Sequence, residues 1–242
     1  MSAVRLWTEF DASTLQFGPV EKNKMGGSTV SVWSLTSAGA RDRVRIQTPP
    51  LALPFGVSTF EDKNTGKIDY SIDASFRGAD ANPKLADFLA RVRKLDDVLL
   101  DAAVAKSKEW FGKTLSKDLV KAFLRPLVKE TDRRDANGNP YPPVLKTKVR
   151  TSTINPGEIL TKFYDKASRA EVGLDYVTKG STVELIISLS NVWFVGKSQF
   201  GVSWKVEQVR VVSRPQLQGP LFIDDGEDDA PEAALPDGLL DG

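Results

Sequence analysis

The sequence predicts a mainly β protein with a helical insertion, an α+β chain ordered strands, helices, strands. Three observations predict it. Apolar and polar residues alternate through Lys67–Arg77, Ser181–Val195 and Phe200–Val212, the period of a strand with one buried side. Between them, Leu85, Phe88, Leu89, Val92, Leu95, Val98 and Leu99 recur at spacings of three and four, the period of an amphipathic helix. After residue 223 the composition turns acidic and rich in Pro and Gly, too poor in apolar surface to fold alone.

The elements follow in order. Lys24-Met25-Gly26-Gly27 reads as a loop, and Thr29–Leu35 as a strand with Val30 and Val32 on one face and Trp33 on the other. Arg41–Thr48 alternates again: Val44 and Ile46 point one way, Arg41, Arg43, Arg45 and Gln47 the other, until Pro49 and Pro50 end the strand. Asn64-Thr65-Gly66 turns the chain into Lys67–Arg77, whose apolar face carries Ile68, Tyr70, Ile72, Ala74 and Phe76. Asn82 and Pro83 mark a helix start, and Gly112 a stop after Trp110. Ser116 starts a shorter helix that ends before Pro126. Residues 131–143 hold Asn, Gly and three Pro and predict a long loop. Val144–Arg150 and Gly157–Asp165 are the next strands, followed by two long ones joined through Gly196-Lys197-Ser198. The economical architecture is an OB-like antiparallel barrel in residues 1–223, with the helices inserted at about 83–126 and residues 224–242 as a disordered acidic tail.

Composition removes many functions. The 242 residues contain no His and no Cys, which excludes disulfides, thiolate zinc sites and imidazole catalysis. No constellation looks catalytic, and the expectation is a protein that is no enzyme, with no cofactor and no metal. Helix carboxylates such as Asp96, Asp97 and Asp101 read as solvated. No apolar run approaches the roughly 20 residues of a membrane span, and the start MSAVRLWTEF lacks a signal-peptide layout. An intracellular, unsecreted protein is expected.

Charge is divided unevenly. The chain has 33 basic and 32 acidic residues. Eight of the acids, and no Lys or Arg, lie in residues 224–242: Asp224, Asp225, Glu227, Asp228, Asp229, Glu232, Asp237 and Asp241. The body therefore holds 33 basic against 24 acidic residues, a net of +9. A basic body with an acidic tail points to nucleic acid or a charged partner.

Single-stranded nucleic acid asks for cations that track phosphates and aromatic faces on which bases stack. Arg41, Arg43 and Arg45 share one predicted strand face, and Lys146, Lys148 and Arg150 another. Same-face residues on a strand recur about every 6.6 Å, so each ladder can follow an extended backbone. Lys197 and Lys205 add charge near the last hairpin. Trp193 and Trp204 alternate with Val and Leu and are assigned to the core. Phe194, Trp33 and Tyr164 are the candidate stacking rings. The tail, led by Asp224, Asp225, Glu227, Asp228 and Asp229, carries the charge sign of phosphate and can compete for a cationic groove.

Several segments carry a resemblance: Thr48-Pro49-Pro50 with Pro54-Phe55-Gly56, Trp110-Phe111-Gly112, Tyr141-Pro142-Pro143-Val144-Leu145-Lys146, Lys179-Gly180-Ser181, Trp193-Phe194, and Phe200-Gly201-Val202-Ser203-Trp204-Lys205 with Gln208. In this order and spacing the chain resembles the single-stranded DNA-binding proteins of large double-stranded DNA viruses of algae and amoebae. More distantly it is similar to those of T7-like phages, although their tails tend to end in an aromatic residue and this chain ends Leu239-Leu240-Asp241-Gly242. The resemblance implies an OB-like core that coats replication intermediates in a host nucleus or cytoplasmic replication site. It also implies an acidic C-terminus that regulates binding and recruits replication proteins. A homo-oligomer is among the states the sequence allows. The alternative reading is a virion or replication-complex scaffold that binds proteins instead of DNA.

Overall fold

The computed structural model describes residues 3–22, 27–36, 38–63, 65–155, 157–196 and 198–215. The chain opens with β1 (Arg5–Leu6), two short 3-10 turns, and a hairpin of β2 (Gln16–Lys22) and β3 (Ser28–Leu35). Next come β4 (Arg41–Asp42), β5 (Arg45–Gln47), β6 (Leu51–Ala52), β7 (Val57–Glu61) and β8 (Ile68–Ser75). Three helices follow, α1 (Pro83–Ala105), α2 (Ser107–Phe111) and α3 (Lys117–Phe123). Strands resume with β9 (Val128–Lys129), β10 (Val144–Val149), β11 (Lys162–Asp165) and β12 (Glu171–Val172). The last four are β13 (Thr182–Leu189), β14 (Val192–Val195), β15 (Gln199–Gly201) and β16 (Trp204–Ser213).

A five-stranded barrel closes in the order β5/β6, β8, β10, β16, β13 and back to β5/β6. This is an OB-like ring. Five strands cannot alternate direction all the way round, so one joint must be parallel. That joint is β10 with β16, where Thr147, Lys148 and Val149 lie beside Trp204, Lys205 and Val206. The other four joints are antiparallel. Inward-facing residues fill the barrel: Ile46, Leu51, Ile72, Leu145, Leu185, Ile187, Trp204 and Val206 are essentially inaccessible. Trp204, assigned to the core from its alternation, is fully buried and meets Phe10 edge-on at 5.9 Å. β11 continues along the edge of β16 that β10 occupies, so residues 150–161 are an excursion from one interrupted strand.

β5 ends at Gln47, just ahead of Pro49 and Pro50. Beyond the two prolines a new strand, β6, pairs with β13 again, Leu51 beside Val183. Thr48 bridges the gap. Its N–H donates to the Leu185 carbonyl at 2.9 Å, and its hydroxyl accepts from the Leu185 N–H at 3.0 Å. A side-chain oxygen thus satisfies a ladder donor that would otherwise be buried alone.

A second, antiparallel sheet runs β15, β14, β3, β2, with β4 on β3. It forms because the β13–β16 hairpin bends between barrel and tip. Both arms break there, at Ser190-Asn191 and Val202-Ser203. The break shifts the alternation by one residue: Leu189 and Val192 are buried, not Leu189 and Asn191. A one-residue slip turns every later side chain to the other face. Trp193, expected in the core, is therefore only half-buried and donates its indole N–H to Ser203 Oγ at 3.1 Å. Phe194 turns inward instead.

The helices fill the gap between β8 and β9. Asn82 accepts from the Lys84 and Leu85 N–H groups at 3.1 and 3.4 Å, capping α1, and Pro83 occupies its first turn. The stripe Leu85, Phe88, Val92, Leu95 and Leu99 is buried, with Phe88 against Trp7 and Phe76. Helicity breaks at Lys106, and α2 ends at Gly112 in the left-handed region, φ 77°. Ser116 caps α3 through the Leu119 N–H.

Asp96 departs from the solvated reading. Its carboxylate turns under α1 and accepts the Leu127 N–H at 3.0 and 3.2 Å, tying the segment before β9 to the helix. Burial pushes its pKa up to about 7, and the neighbouring Asp97 adds to this, while backbone hydrogen bonds from Leu127 and Val128 act against it. A raised carboxylate pKa means the fold holds a proton that the unfolded chain releases, so this contribution is full below about pH 4, falls as pH rises from there, and is lost above about 7. Asp96→Asn keeps an acceptor without the charge. Its urea-unfolding free energy should exceed that of the parent by about 1–3 kcal/mol at pH 8.5, and the difference should shrink steadily between about pH 7 and pH 4 and vanish below about pH 4.

Candidate nucleic-acid interface

β10 sends Leu145, Thr147 and Val149 into the barrel and leaves Lys146 and Lys148 on its outer wall. The Thr147 hydroxyl needs a partner once buried and donates to the Ile72 carbonyl at 3.0 Å. On β16, Lys205 stands outward between the buried Trp204 and Val206. The parallel register sets Lys148 beside Lys205. On the other side of Lys205 lies Ser188 of β13, whose hydroxyl accepts from the Arg43 guanidinium at 3.2 Å. Arg150 follows β10, where its backbone N–H donates to Thr161 Oγ1 at 2.8 Å and pins the base of the 150–161 excursion.

Arg43, Lys148 and Arg150 thus surround Lys205. Partial burial, then the charges of Arg43, Arg150 and Lys148, push the Lys205 ammonium below the ordinary lysine range. Four cations from three separate segments share one patch of the barrel wall. Like charges so placed repel, and a bound anion relieves the repulsion.

The remaining candidates are dispersed. Arg41, Arg43 and Arg45 do not form one ladder, because Arg41 belongs to the second sheet and Arg45 to the barrel. The alternation runs unbroken through Arg41–Thr48 although two sheets share it. The Arg41 guanidinium lies 4.0 Å over the ring of half-buried Trp33, so that ring face is already covered. Gly18 lies close to the same indole: a Cβ there would meet it at 3.2 Å. Arg45 pairs with Glu207, its Nε to carboxylate distance 2.8 Å. Glu207 is the extra residue of a bulge between β13 and β16, which places a carboxylate where strict alternation would not; sequence reading missed it. Lys146 continues the β10 row opposite Asp73.

Phe194 is half-buried, stacked on Phe200 with centroids 6.3 Å apart and edge-on to Trp110 and Phe111. Its ring joins the second sheet to α2 instead of standing open. Tyr164 faces outward while its neighbour Phe163 is buried. Tyr164 borders a concavity of about 400 Å³ two rows beyond Lys205, where Arg210 and Lys166 both pair with Glu184. Lys197 and the tail residues Asp224, Asp225, Glu227, Asp228 and Asp229 lie outside the described residues. Among the described residues, no three His, Cys, Asp or Glu side chains gather to hold a metal ion.

Residues 73–224 match DUF5871, a family of unknown function. The chain belongs to that family. The matched stretch begins within β8 and takes in the helices, β10 and β16, and so Lys148, Arg150 and Lys205. No curated protein matches the chain in sequence. Among solved structures, gp2.5, a single-stranded DNA-binding protein encoded by bacteriophage T7, is similar at 14% identity with a TM-score of 0.44, over 75% of this chain and 98% of that one. The single-stranded DNA-binding protein of bacteriophage Enc34, in complex with single-stranded DNA, is similar at 12% identity with a TM-score of 0.42, over 83% of this chain and 97% of that one.

The cluster has a cost for the unbound protein. Lys205→Gln removes the most crowded charge, and its melting temperature at low ionic strength should rise above that of the parent. The difference should shrink as added salt screens the remaining cations.

Proposed function

We propose that the protein is a non-enzymatic, sequence-independent single-stranded DNA-binding protein that serves viral DNA replication or recombination. The observation that carries this is the gathering of Arg43, Lys148 and Arg150 around Lys205 on the barrel wall. Such a patch binds phosphates without reading bases, because it offers charge and no paired donors and acceptors at fixed spacing. The phage proteins named above bind single-stranded DNA by name; the reading for this chain stands on the geometry of its own cluster. The acidic tail then competes with DNA for the cations, or recruits partner proteins when DNA displaces it.

Salt titration of oligonucleotide binding tests the reading. Affinity for a single strand should fall steeply with salt and exceed that for duplex at low salt. Lys148→Gln combined with Arg150→Gln should lower the slope of log affinity against log salt by about 1.4, two phosphates' worth of released ions. Equal binding of single strand and duplex at low salt would overturn the proposal. Deleting residues 224–242 should strengthen binding if the tail competes. A tail that binds a partner protein while the cluster variants change nothing would make the chain a scaffold.

Lys205 adds a pH signature. Its folded pKa is depressed, so the unbound fold gains stability as pH rises through that value. Phosphate beside it favours the charged form, so binding takes up a proton and affinity falls across the same window. Lys205→Arg should remove that fall, measured as affinity from pH 7 to pH 10 at constant ionic strength.

A further inference from the structure

A groove of about 1290 Å³ lies on the barrel wall at the start of β10. Its floor is one row of outward residues from neighbouring strands: Lys129, Val144, Ser75 and Ala52. Pro54-Phe55 and Lys179-Gly180 form one rim, and the 131–142 segment the other. It exceeds the roughly 300–1,000 Å³ typical of small-molecule pockets and is open, which suits a polymer.

Its chemistry is cationic and aromatic. Arg77, Lys129, Arg133, Arg134 and Lys179 line it, all exposed and none in an ion pair among the described residues. The one lining carboxylate, Glu130, is engaged by Arg93 at 2.5 Å. Phe55 and Tyr141 stand in the same groove at 65% and 48% exposure, well above the other aromatic rings considered for stacking.

Both rings are held by built turns. Gly56 has φ 68°, and a Cβ there would lie 2.9 Å from the Val177 carbonyl oxygen and 3.0 Å from the Lys179 nitrogen, so the turn after Phe55 seats directly on the Lys179 rim. Hydrogen bonds from the Leu53 N–H to the Ser181 carbonyl and from the Gly180 N–H to the Leu53 carbonyl, both 2.8 Å, join the two segments. On the far rim, the predicted loop contains a small hairpin. The Tyr141 N–H donates to the Arg133 carbonyl, and the Asp135 carboxylate accepts the Asn137 and Asn139 N–H groups at 2.9 Å.

We propose that this groove is the base-stacking subsite for the strand whose phosphates cross the Lys205 cluster, with Phe55 and Tyr141 as the stacking rings. This rests on the single-stranded DNA reading. The two places are continuous: Val144, Lys146 and Lys148 share one face of β10, so about 13 Å of strand joins groove to cluster, with Lys146 midway. The paired rings also choose the occupant. Residues 224–242 bring eight carboxylates and no aromatic ring, so the tail can satisfy the cations but not Phe55 and Tyr141. Duplex DNA hides its base faces in the stack, whereas a single strand offers them, so the groove is where preference for single strands arises.

The test uses the full-length protein and an oligothymidylate carrying one 5-iododeoxyuridine. Irradiation should link the base to a peptide containing Phe55 or Tyr141. The double variant Phe55→Ala with Tyr141→Ala should bind the single strand at least about tenfold more weakly. Its salt slope and duplex binding should remain those of the parent. Parent protein without single-strand preference would overturn the DNA reading and this proposal together. Parent preference with cross-links only elsewhere, or with a double variant of unchanged affinity, would overturn the groove alone. Should the variant melt at a lower temperature than the parent, the cross-linking of the parent decides.

Discussion

The parallel pairing of β10 with β16 is the joint on which both the barrel and its surface chemistry depend. It closes a ring of five strands that alternation of direction cannot close. By the same register it sets Lys148 beside Lys205. Slipping β10 by one residue against β16 would turn Lys148 inward and Val149 outward, which the apolar interior forbids. The hydrophobic effect thus holds like charges together: the inward residues fix the register, and the outward cations accept the repulsion. Partial burial first, and this repulsion after it, hold the Lys205 ammonium below the ordinary lysine range.

The rest of the molecule braces this ring. The bend at Ser190-Asn191 and Val202-Ser203 carries the β13–β16 hairpin out of the barrel into the second sheet. There Phe194 and Phe200 meet Trp110 and Phe111 of α2. Phe194, which reads as a stacking platform in the sequence, is spent on this junction. The exposed rings, Phe55 and Tyr141, sit instead on loops beside the barrel wall, each held by a turn with its own hydrogen bonds. Asp96 belongs to the same bracing, since it secures the backbone just ahead of β9 and so the Lys129 side of the groove.

Much of this was legible in the chain itself. Alternation located β8, β10, β13 and β16. Three-and-four spacing with Asn82, Pro83, Gly112 and Ser116 located the helices and their ends. Alternation placed Lys146 and Lys148 on the outward face of β10, because their neighbours Leu145, Thr147 and Val149 are buried without interruption. Where the reading failed, the period was locally broken by something periodicity cannot register. Examples are a sheet change between Arg41 and Arg45, a bend before Trp193 and Phe194, and a bulge at Glu207.

By itself, the sequence determined the strands–helices–strands order, the basic body with its acidic end, and the absence of imidazole and thiol chemistry. These follow from composition and local period, which each segment carries alone. Only the tertiary structure decided which cations meet and which rings stay open. Arg43, Lys148 and Lys205 are far apart in the chain and converge through strand register. Phe55, Tyr141 and Lys179 converge through loops whose contacts lie dozens of residues away. Such proximity is a property of barrel closure, and no single segment encodes it.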